Sequence, residues 1–294
     1  MKLATILKDG IETGAIVDQK GILPLVSLNR TLHKKWPTDL FQLLDEGELS
    51  SLQKFWESEG REEARLDSFY LAENEVVYRP PYRQPKKIWG IGLNYVDHAS
   101  DLNETAPNTE PASFMKPATT IIGDQDTIEI PLQSERTTGE AELGIIIGKT
   151  CKNLSEEEAE EAIAGYTTII DMTAEDILQR NPRYLTRSKS FDTFFSFGPW
   201  VLTADEIDNL SDLNVATVIN GEYHRKNVIA NMTFSPYYLT AFHSQVMTLK
   251  PGDIISTGTP GAIVIRDGDV IECEIDGFPL LTNHVIDLKE KERG

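Results

Sequence analysis

From Ile88 to the end, strand-like runs follow one another with few helical interruptions, and this pattern limits the fold more than any other feature. KIWGIGL, TIIGDQDTIEI, AELGIIIGKT, GYTTIID, NVATVING, GDIISTGTP and GDVIECEIDG are short, mostly apolar, and punctuated by Gly, Asp and Asn. Strands in runs predict a β-rich α+β domain rather than alternating βαβ units. Two helices interrupt them. LSEEEAEEAIAGY carries Ser155 as N-cap with Glu158 three residues on, a capping box, and Gly165 past its end. DMTAEDILQR places Thr173 and Asp176 in the same relation, so a helix is expected to start there.

The first residues read differently. MKLATILKDGIETGAIVDQKGILPL alternates apolar and polar residues around Gly10, Gly14 and Gly21, which predicts short strands with tight turns. Helical spacing follows from Asp39 and again from Leu49. RPPYRQPKK then packs three prolines and four cations into residues 79–87. We therefore divide the chain into a small N-terminal α/β domain (1–78), a linker (79–87) and a larger β-rich domain (88–290).

Hydrophobic residues are 40% and charged residues 26% of the 294, an ordinary globular composition. With 28 basic and 47 acidic residues the net charge is −19. Such a chain repels nucleic acid and anionic membranes, so neither is expected as a partner. An anionic substrate must meet a metal or a few placed cations. The N-terminus lacks a signal-type apolar run, and no segment reaches membrane-span length. Cys151 and Cys273 form no CxxC, which argues against a thiolate zinc site. These features predict a reducing, cytoplasmic setting. GKT at 148–150 lacks the earlier glycine of a phosphate-binding loop, and GIGLNY has Tyr95 where a dinucleotide fingerprint needs glycine. No G-x-S-x-G elbow is present.

GEAELGIIIG (139–148) is the informative stretch. Its isoleucines indicate a strand, and a strand sends residues i and i+2 to one face. Glu140 and Glu142 therefore project side by side. Such a pair either takes up a proton, faces solvent, or holds a cation. In AGYTTIIDMTAEDI a strand is expected to end at Asp171, with a helix close behind. Asp171 could shape that turn or line a ligand crevice. Three carboxylates would form a hard oxygen site, favouring Mg²⁺, Mn²⁺ or Ca²⁺ over Zn²⁺.

KIWGIGLNYVDHASD, FMKP, GEAELGIIIGK, GYTTIIDMTAEDI, RSKSFDTF, VINGEYHRKNVIANMTFSP, PGDIISTGTP and GDVIECEIDG together resemble the fumarylacetoacetate hydrolase family, in that family's order, over roughly residues 86–288. The resemblance implies a mixed β-sandwich roll, usually dimeric, with Mg²⁺ or Mn²⁺ on Glu140, Glu142 and Asp171. Family members hydrolyse acylpyruvates, decarboxylate oxo-acids such as oxaloacetate, or isomerise hydroxymuconate- and hydroxyheptadienedioate-type dienols.

The matching residues suggest roles. His98 lies where the family has a water-activating histidine, and histidine exchanges protons near neutral pH. By composition alone it is equally a surface or capping residue. Its partner position is Asp101, where Glu is usual and one methylene longer; Glu104 is the alternative partner. NETAPNTEP reads as a lid or as a plain surface loop. Lys189 matches a lysine near the substrate, and Lys116 and Thr259 match positions around the pocket. Otherwise Lys116 is a snorkelling lysine and Thr259 a turn residue. Arg187 is a further candidate for an anionic group. Leu93 replaces an arginine that some members carry.

The expected function is metal-dependent hydrolysis of a carbon–carbon bond in acylpyruvate-type 2,4-dioxo acids. His98 with Asp101 would deprotonate a water that attacks the distal carbonyl. The pyruvate enolate left behind would be stabilised at the metal. Decarboxylation and isomerisation share that enolate, and a catalytically silent metal- or ligand-binding protein is the alternative of another class.

Overall fold

A computed structural model describes residues 1–96 and 109–291, the side chain of Lys291 excepted. Two β-sheets face each other. The larger has twelve strands, in the path order Gly21–Pro24, Ile11–Asp18, Lys2–Lys8, Phe195–Thr203, Ile163–Ala174, Thr137–Ile147, Ile254–Ser256, Ile88–Gly92 and Ala112–Lys116, with three short strands off that path. The smaller has five: Glu222–Val228, Asn214–Ile219, Val270–Ile275, Leu281–Asp287 and Thr127–Ile130. The molecule is thus α+β and strand-rich, with the sheets packed as a sandwich.

The core between the sheets follows from the two-residue period. Ala141, Leu143, Ile145, Ile147, Ile170 and Met172 of the large sheet meet Val215, Ile219, Ile271, Cys273 and Leu281 of the small one. Alternate residues face the other way. There Ile146, Ile169, Phe195, Phe197 and Ile254 pack under Leu25, Leu28, Leu43, Leu52 and Trp56 of the N-terminal helices. Strand Thr137–Ile147 is covered on both faces, and all eleven of its residues are buried. This accounts for its unbroken isoleucine run, which alternation alone does not predict.

The N-terminal segment does not keep a sheet of its own. Lys2–Lys8 pairs antiparallel with Phe195–Thr203 and also with Val77–Arg79. The first strands therefore extend the large sheet. Asp39 caps helix Leu40–Asp45 by accepting from the Gln42 N–H, and Ser155 and Glu158 form the expected capping box. The strand through Asp171 does not stop there. It runs to Ala174, and the next helix, Glu175–Arg180, has Ala174 at its cap. Thr173 is thus a strand residue rather than a cap, because continued pairing with Thr138 outcompetes the local cap. Among the described residues no helix is long and apolar enough to cross a membrane.

Candidate metal centre

Two central strands create the site. On Thr137–Ile147, Glu140 and Glu142 share the face that further along carries Ile146. Asp171 stands opposite Glu140 in the antiparallel register, and Thr173 opposite Thr138. The ligand atoms of Glu140, Glu142 and Asp171 lie within 4.8 Å of one another, and all three residues are buried.

Each carboxylate is held. Glu140 accepts from Thr173 Oγ1 at 2.6 Å and from Thr138 Oγ1 at 3.1 Å. Glu142 accepts from Ser256 Oγ at 2.5 Å and from the Gly258 N–H at 2.9 Å. Both donors to Glu142 follow from strand Ile254–Ser256, which lies between Thr137–Ile147 and Ile88–Gly92. The loop beyond is fixed by Asn94, whose side chain donates to the carbonyls of Phe234 and Thr257 and accepts from the Phe234 N–H.

Two lysines close the cluster. Lys116, on the edge strand Ala112–Lys116, bonds through Nζ to Asp171 and to the Met172 carbonyl. Lys189, at the end of helix Leu185–Lys189, reaches Asp171 Oδ2 at 2.5 Å and Glu140 Oε2 at 3.0 Å. Lys116 and Lys189 are 3% and 5% exposed, so these are buried ion pairs, not surface ones.

The electrostatics reflect crowding. Burial, with the neighbouring Asp171 and Glu140 carboxylates, pushes Glu142 up to about 8; Lys189 opposes the shift. Burial pushes Lys116 down to about 8, against the pull of Asp171. For Lys189 burial acts downward, but Asp171, Glu140 and Glu142 outweigh it and hold the ammonium above its usual range. With Glu142 ionised, as a bound cation would hold it, three carboxylates against two ammonium groups leave one negative charge uncompensated. A divalent cation would turn that into one positive charge, which suits an anionic ligand. The all-oxygen donor set fits a hard divalent ion.

Of the residues singled out from sequence, the structure brings Glu140, Glu142, Asp171, Lys116 and Lys189 together. Thr259 is buried one residue beyond Gly258, and its hydroxyl bonds with the Gly261 backbone. Arg187 is exposed, two residues from Lys189 on the same short helix, and so on a different side of it. His98, Asp101 and Glu104 lie outside the described residues. Sequence reading missed Thr173, Ser256, Gly258 and Tyr95. The Tyr95 hydroxyl is buried without a hydrogen-bond partner among the described residues, and burial together with Glu142 raises it above the usual phenol range. Only the alternation Thr138, Glu140, Glu142 opposite Thr173 hinted at the hydroxyl support.

The profile of the fumarylacetoacetate (FAA) hydrolase C-terminal domain matches residues 87–286. The chain belongs to the fumarylacetoacetate hydrolase family. Human mitochondrial oxaloacetate tautomerase FAHD2A is 32% identical over 286 residues, covering 94% of this chain and 87% of the human protein. The maleylpyruvate hydrolase of Sphingobium sp. SYK-6, solved with manganese(II) and pyruvate, superposes with a TM-score of 0.79 at 28% identity, over 98% of this chain and 99% of that one. The 5-carboxymethyl-2-hydroxymuconate delta-isomerase of Mycobacterium smegmatis gives 0.75 at 28%, over 98% and 99%. The named relatives of this fumarylacetoacetate hydrolase family member are therefore enzymes that tautomerise, hydrolyse or isomerise.

Proposed function

We propose that the chain is a Mg²⁺- or Mn²⁺-dependent enzyme that converts small 2-oxo dicarboxylic acids through an enolate, with keto–enol tautomerisation of oxaloacetate as its lead reaction. The observation that carries this reading is the buried cluster of three carboxylates under two ammonium groups. Its choice of reaction is supported by the oxaloacetate tautomerases that align along 94% of the chain. The family resemblance in the sequence implies hydrolysis first; both reactions place enolate charge on the 2-oxygen of a 2-oxo acid.

A divalent ion held by Glu140, Glu142 and Asp171 would supply Lewis-acid stabilisation of oxyanion charge. This chain's own residues do the rest. Lys116 and Lys189 set positive charge beside the carboxylates, where the substrate's 1-carboxylate and developing enolate oxygen need it. Thr138 and Thr173 aim Glu140, while Ser256 and Gly258 aim Glu142. The buried walls exclude water, which strengthens each of these interactions. Tautomerisation breaks the C3–H bond and places a proton on the 2-oxygen, with no net exchange. His98 is proposed as the proton carrier.

Hydrolysis of acylpyruvates is the second reading, favoured by the manganese(II)- and pyruvate-bound maleylpyruvate hydrolase. There His98 with Asp101 would activate water. A reducing, cytoplasmic setting is proposed with it, since Cys151 and Cys273 form no disulfide. A homodimer is part of the same proposal, and light scattering on a sizing column tests it.

The deciding assay follows the ultraviolet absorbance of enol-oxaloacetate, and pyruvate release from acylpyruvates, with Mg²⁺, Mn²⁺ or EDTA. Faster enol decay that EDTA abolishes is expected. Pyruvate release from acylpyruvates without tautomerisation would move the assignment to hydrolysis. Binding of oxalate with no turnover of any oxo-acid would overturn both and leave a silent binding protein.

A further inference from the structure

Strand Ala112–Lys116 does more than deliver Lys116. Two residues earlier on the same face, Phe114 is 6% exposed and lies under Lys189, whose Nζ stands 4.7 Å from the ring centroid. Phe114 in turn pairs in register with Gly90 of the neighbouring strand. A Cβ at Gly90 would fall 2.3 Å from two atoms of the Phe114 ring. The ring therefore lies directly on the Gly90 backbone. Gly90 is not in the left-handed region, so its lack of a side chain serves space, not backbone conformation. The layers are Gly90, then Phe114, then the Lys189 ammonium, then Glu140 and Asp171.

The geometry points to Phe114 as a positioning residue that fixes the Lys189 ammonium over the carboxylates, with Gly90 as the gap that lets the ring lie flat beneath it. A lysine side chain has four rotatable bonds and loses much freedom when ordered. The Glu140 and Asp171 carboxylates hold the ammonium by two bonds. The negative face of the Phe114 ring adds a further attraction, without adding a charge or a proton acceptor. An aliphatic side chain would fill the same volume but offer no such pull. This also gives a role to the first glycine of GIGLNY, a motif that fails as a nucleotide fingerprint.

The inference rests on the reading that Lys189 faces an anionic oxo-acid. Its first test replaces Phe114 with mono-, di- and trifluorophenylalanine, which weaken the ring's negative face while barely changing its shape. Oxalate affinity of the Mn²⁺-loaded protein should fall step by step, by about 3- to 30-fold across the series. Phe114→Leu should fall at least as far, and Gly90→Ala should weaken oxalate binding by displacing the ring. Gly90→Ala should add little on top of Phe114→Leu, because both act through one contact. A flat response across the fluorinated series, with Mn²⁺ still bound, would overturn the role. A crystal structure of Phe114→Leu separates this from the function itself. Lys189 Nζ is expected to leave its place over Glu140 and Asp171, and an unmoved Nζ overturns the inference even if the protein binds no metal. Failure of the wild type to bind Mn²⁺ or oxalate would count against the proposed function, and the crystal position of Lys189 would then decide the inference.

Discussion

Asp171 stands directly opposite Glu140 across the antiparallel pair of strands Thr137–Ile147 and Ile163–Ala174. Like charges placed opposite each other destabilise a sheet, and these two are also buried. Lys189 bridges them by bonding to both. Glu142, two residues along, accepts from the neutral donors Ser256 and Gly258. The site thus trades stability for a place that a cation can fill.

Glu142→Gln should separate that cost from its use. Glutamine keeps the shape and one acceptor while removing the charge whose pKa is pushed up to about 8. In EDTA at alkaline pH, the variant should melt at or above the wild-type midpoint. A relief of 1 kcal/mol corresponds to roughly 2–4 °C in a chain of this size class. With Mn²⁺ the order should reverse, since saturating ligand at about 100 times its Kd adds about 2.7 kcal/mol to a protein that binds it. Differential scanning in both media checks this. A variant that melts lower in EDTA and still gains from Mn²⁺ would remove Glu142 from the ion's ligands.

Thr173→Val tests the hydroxyl that aims Glu140. The substitution keeps the β-branch and deletes the 2.6 Å bond. Groups that orient metal ligands typically account for about 10–100-fold in metal affinity or activity. Mn²⁺ affinity by titration calorimetry should fall within that range, while the far-ultraviolet spectrum stays unchanged. The weaker contact from Thr138, at 3.1 Å, should matter less.

Thr173 also shows where sequence reading stops. Glu140 and Glu142 were legible as a shared face, because the two-residue period of a strand is local. The box at Ser155 and Glu158 was legible for the same reason. Thr173 matched a cap pattern just as well, yet pairing with Thr138 decided its state. Ser256 and Gly258 reach Glu142 across more than a hundred residues of chain, through strand pairings that no local pattern encodes. The register matters as much as the pairing, since a one-residue slip would turn Asp171 away from Glu140. At the N-terminus the proline-rich stretch 79–87 was legible as a change of character. That Lys2–Lys8 then hydrogen-bonds to Phe195–Thr203 was not, because a strand carries no address for its partner.

His243 should make the fold acid-sensitive. Its ring is fully buried, with Nδ1 2.7 Å from the Leu239 carbonyl and Nε2 2.9 Å from Ser113 Oγ. Burial lowers its pKa from 6.5 to about 4, although the Leu239 carbonyl opposes that. Between those values the unfolded chain binds a proton that the folded chain does not. Stability is therefore full above about pH 6.5 and falls as pH drops towards 4, by at most about 1.4 kcal/mol per pH unit from this group. Urea unfolding at several pH values should show that slope in the wild type and a shallower one in His243→Gln. Parallel slopes would assign the acid sensitivity to other groups.

Gly258 joins backbone conformation to the candidate metal centre. Its φ is +95°, a region that side chains rarely adopt, and a Cβ there would lie 2.8 Å from Asn94 Cβ and 3.1 Å from the Ile91 carbonyl oxygen. Asn94 cannot yield easily, because its side chain is committed to Thr257 and Phe234. Gly258→Ala must therefore move the loop, and with it the N–H that donates to Glu142 at 2.9 Å. Gly221, at φ +80°, has nothing within 4 Å of its Cβ position and supplies the control. Both alanine variants should lose about 1 kcal/mol or more from backbone strain. Only Gly258→Ala should also lose Mn²⁺ affinity, because only its N–H touches a carboxylate of the cluster. Equal losses of stability with equal Mn²⁺ affinity in the two variants would show that the Gly258 N–H does not hold Glu142 for the ion.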